Sequence, residues 1–208
     1  MTALRTAPGT RRTHHGWTIG FIGDSLTVGY GNLSASRDCT GDQVRRTTDA
    51  DVSHGALTAR RLGADYRLNA YSGLGMVRNY NGGSPDVTYR TFYDHALLKV
   101  PGDVWQNPGT WRPRLVVANL GTSDFSTAVN PGEPWTPDSL AAAYRTAYSD
   151  FLQKPRTRYG AATTIVAVGA GSFAGSCRRP RRRRPCGRQW FAAPQERAGL
   201  APCATVGS

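Results

Sequence analysis

The sequence predicts an α/β fold, a three-layer sandwich with a central, mostly parallel sheet flanked by helices, and three features carry the prediction. Two short apolar runs, Thr18-Ile19-Gly20-Phe21-Ile22 and Leu115-Val116-Val117-Ala118, each lead into a glycine turn that bears a serine, Gly23-Asp24-Ser25 and Gly121-Thr122-Ser123. Continuous apolar runs that stop at glycine suit parallel strands covered on both faces. A long stretch after Thr136 repeats Leu140, Tyr144, Ala147, Tyr148 and Phe151 at helical spacing, the pattern of a helix packed on a core. Strand, helix and glycine turn in alternation build a parallel sheet with helices against it.

Taken in order, residues 1–16 read as a polar, disordered lead-in. Residues 1–12 contain no apolar core and do not read as a secretory signal. His14 and His15 have no acidic or cysteine neighbours to complete a metal site. The first strand is placed at 17–22, followed by the serine turn, and 32–51 reads as an aperiodic surface excursion near the site. A helix is expected over 53–62, with Ser53 as N-cap, Leu57 and Leu62 on its apolar side and Gly63 closing it. His54 in its first turn reads as a solvated or packing side chain. A second strand at 65–71 runs into Ser72-Gly73-Leu74-Gly75, a glycine turn at the same sheet edge as Ser25. Backbone N–H groups gathered there are what an oxyanion hole requires.

A short helix is placed at 91–98, where the neighbours Asp94 and His95 lie in mid-domain and not after a late strand. The clearest strand is 114–120. Thr136 is a natural N-cap with Pro137 at the first helical position and Asp138 near the dipole. Pro155 is expected to end that helix, and 163–168 forms the last strand.

Composition bounds the function. The 208 residues suffice for one domain with a core, and 39% hydrophobic content with 24 glycines and 13 prolines describes a loop-rich globular chain. No stretch reaches the roughly 18 apolar residues a membrane span needs. The net charge of +12 points at first to nucleic acid, but eight arginines and one glutamate give residues 177–208 a charge of +7, and residues 1–12 add +3. The remaining body carries +2 and gives nucleic acid no basic face. The tail's arginine run, 178–184, reads either as a polyanion-binding arm or, preferably, as GC-rich DNA translated out of frame. Four cysteines, 39, 177, 186 and 203, match neither a zinc nor a thioredoxin-like pattern; Cys39 reads most simply as a free buried thiol, with a disulfide to a segment outside this chain as the alternative.

Three passages carry a family resemblance: Phe21-Ile22-Gly23-Asp24-Ser25-Leu26-Thr27-Val28-Gly29-Tyr30-Gly31-Asn32, the stretch from Gly55-Ala56-Leu57 to Tyr71-Ser72-Gly73-Leu74-Gly75, and Val117-Ala118-Asn119-Leu120-Gly121-Thr122-Ser123-Asp124-Phe125-Ser126. Over about 17–173 the body resembles the SGNH/GDSL hydrolases, with their flavodoxin-like sheet, and more narrowly the family-2 carbohydrate esterases, which remove acetyl groups from xylan and related sugars. The resemblance implies a hydrolase domain over 17–176, without cofactor or metal, acting on acetylated carbohydrate or another small ester. It implies Ser25 as nucleophile, supported by the adjacent Asp24, with its own N–H and that of Gly73 as oxyanion donors. Ser123 stands where the family has an asparagine donor.

The family's general base, a histidine in a late Asp-x-x-His block, finds no counterpart. The histidines are 14, 15, 54 and 95, all before the third passage, and no general base is identified. Without a base a serine hydroxyl is a weak nucleophile. The chain therefore reads as truncated or frameshifted near its C-terminus, with little hydrolysis expected. The competing readings are a non-catalytic remnant and a polyanion-binding protein. Relatives of this kind are commonly secreted.

Overall fold

The computed structural model describes residues 16–36, 38–95, 100, 102–105 and 109–169. The arginine-rich tail, Cys177, Cys186, Cys203, His14, His15 and all of the expected lead-in but Gly16 lie outside them.

Strand β1 (Thr18–Gly23) lies inside the sheet because both of its neighbours pair with it along nearly its full length. β2 (Asp65–Ala70) runs parallel on one side and β3 (Leu115–Asn119) parallel on the other. β4 (Thr164–Val168) adds to β3, giving the order β2-β1-β3-β4 among the described residues. The chain leaves β1 toward β2 and then returns to its far side for β3. Such a reversal opens a crevice at the carboxyl ends of the strands, where open α/β sheets take ligands.

The register fixes the two faces. Ile22, Val116, Ala118 and Leu120 point to one core, where Tyr144, Tyr148 and Phe151 of α6 (Pro137–Tyr159) cover them. The Ile, Val, Leu and Phe side chains among them contribute on the order of 2 kcal/mol each when fully buried. Two tyrosines are also tied to the sheet: Tyr144 Oη donates to the Leu120 carbonyl and Tyr148 Oη to the Ala118 carbonyl, each at 2.7 Å. Ile19 and Phe21 face the other side, in a smaller cluster with Ala59 and Ala64.

That smaller cluster is covered by α3 (His54–Arg61), whose N-cap Ser53 accepts from the Ala56 amide as expected. The expected apolar side of α3 is wrong. Leu57 and Leu62 are exposed, and the buried face is Gly55, Ala56 and Ala59. The helix lies too close to the sheet for leucine: a Cβ on Gly55 would stand 2.9 Å from the Phe21 ring and 3.1 Å from Leu68. His54 is exposed and meets Phe21 edge-on, with ring centroids 6.1 Å apart.

Three further expectations are corrected. The excursion 32–51 is not aperiodic throughout, since it holds α2 (Gly41–Arg46), started by a reciprocal cap between Thr40 and Gln43. That pair is a capping box with glutamine at its fourth place. Pro155 does not end α6, which continues to Tyr159. The proline is fully buried, and Tyr159 packs on the core beyond it. Packing thus offsets the roughly 3 kcal/mol that an internal proline costs. Cys39 is half-buried and disulfide-bonded, so it is not a free thiol.

The helix placed at 91–98 is α4 (Tyr89–Phe92) in the described residues. Asp94 behind it pairs with Lys154, and with Arg158 at 3.6 Å, while His95 bridges to Val104. No described helix is long and apolar enough to cross a membrane.

Candidate active site

Gly23 is the last residue of β1 and has no alternative: a Cβ there would lie 1.9 Å from Thr27 Oγ1. Its absence lets the chain fold at once into α1 (Ser25–Val28), with Asp24 as N-cap. The Asp24 carboxylate accepts from the Leu26 amide at 3.1 Å and is fully buried. Burial pushes this carboxyl above its ordinary range, against the pull of the Leu26 amide and Thr122; the charge of Asp124 pushes the same way as burial. Ser25 follows, half-buried. Among the described residues neither its hydroxyl nor its N–H has a hydrogen-bond partner.

Gly23 pairs with Ala70 on one side and Asn119 on the other. The segments leaving β2 and β3 therefore start level with the turn that carries Ser25. From β2 the chain enters the Ser72-Gly73 turn, where Gly73 adopts φ +88° with open space beside it. Its carbonyl accepts from the Tyr80 amide at 2.9 Å, and its N–H has no acceptor among the described residues. From β3 the chain passes Gly121 at φ +115° into α5 (Thr122–Phe125), which holds Ser123 almost completely buried. The fold thus brings Asp24, Ser25, Gly73 and Ser123 to one edge of three adjacent strands. His95 does not join them. It lines a separate cavity of about 230 Å³ with Gly20, Arg67, Trp105, Trp111 and Arg158.

Trp111 packs beneath Arg67, whose guanidinium carbon stands 4.4 Å from the ring centre. An open cleft of about 550 Å³ lies beside the serine turn, lined by Val28, Tyr30, Arg45, Thr48, Tyr71 and Ser72 among others. Tyr30 and Tyr71 are exposed there.

Sequence reasoning missed two residues at this edge, Asp124 and Arg78. The Asp124 carboxylate is buried and accepts from three successive amides: Met76 at 2.9 Å, Val77 at 2.9 Å and Arg78 at 3.0 Å. Burial pushes its carboxyl up and those amides pull it down. Arg78 is equally buried, and its guanidinium forks onto Glu133 at 2.6 and 2.9 Å. It also donates to the carbonyls of Asp124, Thr127 and Ala128 at 3.3, 3.2 and 2.8 Å. Asp124 was visible, next to Ser123 in the third passage. Nothing local marks Arg78 as buried, because arginine is ordinarily a surface residue.

Comparison with known proteins shows which family the chain is similar to. Residues 19–196 match the family model described as GDSL-like Lipase/Acylhydrolase. The chain is 44% identical over 149 residues to an acetylxylan esterase / glucomannan deacetylase of Cellvibrio japonicus, covering 71% of this chain and 41% of that protein. It is 33% identical over 151 residues to the cellulase/esterase CelE of Acetivibrio thermocellus, covering 73% of this chain and 17% of that one. Among solved structures it is similar to a family two carbohydrate esterase from Clostridium thermocellum in complex with cellohexaose, at 31% identity and a TM-score of 0.62, over 74% of this chain and 43% of that one. The chain spans less than half the length of these relatives. Matched over most of its length, the chain belongs to the GDSL-like lipase/acylhydrolase family.

Proposed function

We propose that the chain is a serine ester hydrolase of the SGNH/GDSL type that removes acetyl groups from carbohydrate, with low turnover as this polypeptide stands. The observation that carries the reading is that the N–H groups of Ser25 and Gly73 and the Ser25 hydroxyl, which have no partner among the described residues, lie on turns leaving adjacent strands at the carboxyl end of the sheet. In this reading Ser25 Oγ attacks the acetyl carbonyl and gives up its proton. The oxyanion draws on the Ser25 and Gly73 N–H groups, and the sugar alkoxide leaves as the alcohol after taking a proton. Water then attacks the acetyl-serine, releasing acetate and restoring the hydroxyl. The open cleft beside the turn has room for a sugar ring, and Tyr30 and Tyr71 offer it flat apolar faces. Asp24 acts from behind, capping the turn that presents Ser25.

Two features hold the rate down. Ser123 occupies the place of the asparagine donor, and its hydroxyl is shorter than an amide; loss of one such donor costs about 10²–10³ in rate. No described histidine faces Ser25, and without a neighbouring base a serine hydroxyl is a weak nucleophile that gives its proton to solvent water. Hydrolysis of p-nitrophenyl acetate and acetylated xylan, measured beside Ser25→Ala, tests the reading. A slow rate above background that Ser25→Ala removes supports it. Equal rates from both proteins refute the role of Ser25, and fast turnover by the parent refutes the missing base.

A further inference from the structure

We infer that Asp124 is the positioning residue of this site: its carboxylate holds, through three backbone amides, the turn that presents the Gly73 N–H, and ties that turn to the helix bearing Ser123. The inference rests on reading Gly73 as an oxyanion donor. Three successive N–H groups converging on one anion form a nest of the kind that elsewhere binds phosphate; here the anion comes from α5, 46 to 48 residues along the chain. The fit leaves no slack. A Cβ on Gly75 would lie 2.7 Å from Asp124 Oδ2 and 2.0 Å from the Arg78 carbonyl. The turn is then closed by the Gly75 amide on Asn79 Oδ1 and by the Tyr80 amide on the Gly73 carbonyl, both at 2.9 Å.

The tie runs both ways. The turn receives a side chain from α5, and the segment after α5 receives one from the turn, since Arg78 donates to the carbonyls of Asp124, Thr127 and Ala128. Gly73 sits just outside the clamped amides, with open space on its own flank. Its one hydrogen bond among the described residues is the carbonyl contact to Tyr80. A donor stabilises a developing oxyanion only if it is aimed before the charge appears, and a glycine at φ +88°, with open space where a Cβ would stand, has no side chain of its own to hold that aim. The rigidity comes from Asp124. Asn in its place keeps the shape but offers one acceptor oxygen and turns an NH₂ toward a backbone N–H.

The test follows Gly73 directly, by its ¹⁵N shift and heteronuclear NOE, and follows Ser25 by its phosphonylation rate with a fluorophosphonate, read by intact mass. In Asp124→Asn the Gly73 NOE should fall and its shift move, while the β1 and β3 amides stay in place. The labelling rate should drop about tenfold or more. Tyr148→Phe, which removes a core hydrogen bond away from the turn, should change neither readout, so a general loss of stability is distinguished. If Asp124→Asn does not fold, Arg78→Lys replaces it, with a smaller shift at Gly73 and a smaller drop in rate expected. An unmoved Gly73, or an unchanged labelling rate beside a moved Gly73, overturns the inference. A parent protein that is not labelled at Ser25 refutes the nucleophile, while the Gly73 resonance still decides the role of Asp124.

Discussion

The two halves of the serine turn's surroundings are built to different standards. On the β2 and β3 side, one buried carboxylate binds three amides and one buried guanidinium binds a carboxylate and three carbonyls. On the other side of the chemistry, among the described residues, the Ser25 hydroxyl meets no partner at all. On the proposed reading, the half that would receive negative charge is over-determined, while among the described residues nothing stands ready to take up a proton. The ties around Gly73 belong to the sheet edge, and none of the described bonds among them passes through a histidine.

The largest effect that can break this contrast should come from Ser123→Asn, which on the proposed reading supplies an amide at the third donor position. We expect Ser25 phosphonylation to accelerate by about 10²-fold. An unchanged rate would mean that the buried position does not face the oxyanion. Next is Asp124→Ala, which strands three amides in a buried turn and should cost about 3 kcal/mol, read as a lower midpoint in urea. Loss of less than about 0.5 kcal/mol would show the turn holding itself. Tyr148→Phe removes one hydroxyl shared between the Ala118 and Val168 carbonyls and should cost about 1 kcal/mol by the same measurement.

The smallest effect concerns pH. The Arg78 guanidinium, with the Asn130 amide, holds the Glu133 carboxyl down to about 2. Since the folded value lies below the unfolded one, this ion pair adds stability above pH 4.5 and loses it as pH falls from there toward 2. Glu133→Gln should therefore flatten part of the acid limb of the stability curve, and an identical limb would dismiss the pair as a stabiliser. Asp24 and Asp124 work in the opposite sense. Burial raises both, so each detracts from stability as it ionises with rising pH.

How far such a site can be read beforehand depends on how local its causes are. The strands at 17–22 and 114–120 were legible because apolar runs report burial on two faces, and the observed Thr18–Gly23 and Leu115–Asn119 differ only at the ends. Thr136 with Pro137 and Ser53 were legible because a cap is set within one turn of backbone. Leu57 and Leu62 misled because helix-to-sheet distance, set by Gly55 against Phe21, decides which face is buried. Pro155 misled because its cost is local and its compensation is tertiary. Of the candidate site, glycine turns past strand ends single out Ser25 and the 72–75 turn, and the family resemblance singles out Gly73. Arg78 and the task of Asp124 exist only once β2 and β3 flank β1.

β4 leaves one edge of the sheet open among the described residues, and its Val166 and Val168 are exposed, each by more than 40%. A strand so placed presents a row of backbone donors and acceptors beside apolar side chains, which is a template for another chain's strand. Association through such an edge would grow with protein concentration and leave the serine edge untouched, because the serine turn follows the carboxyl end of an interior strand while β4 pairs along its length.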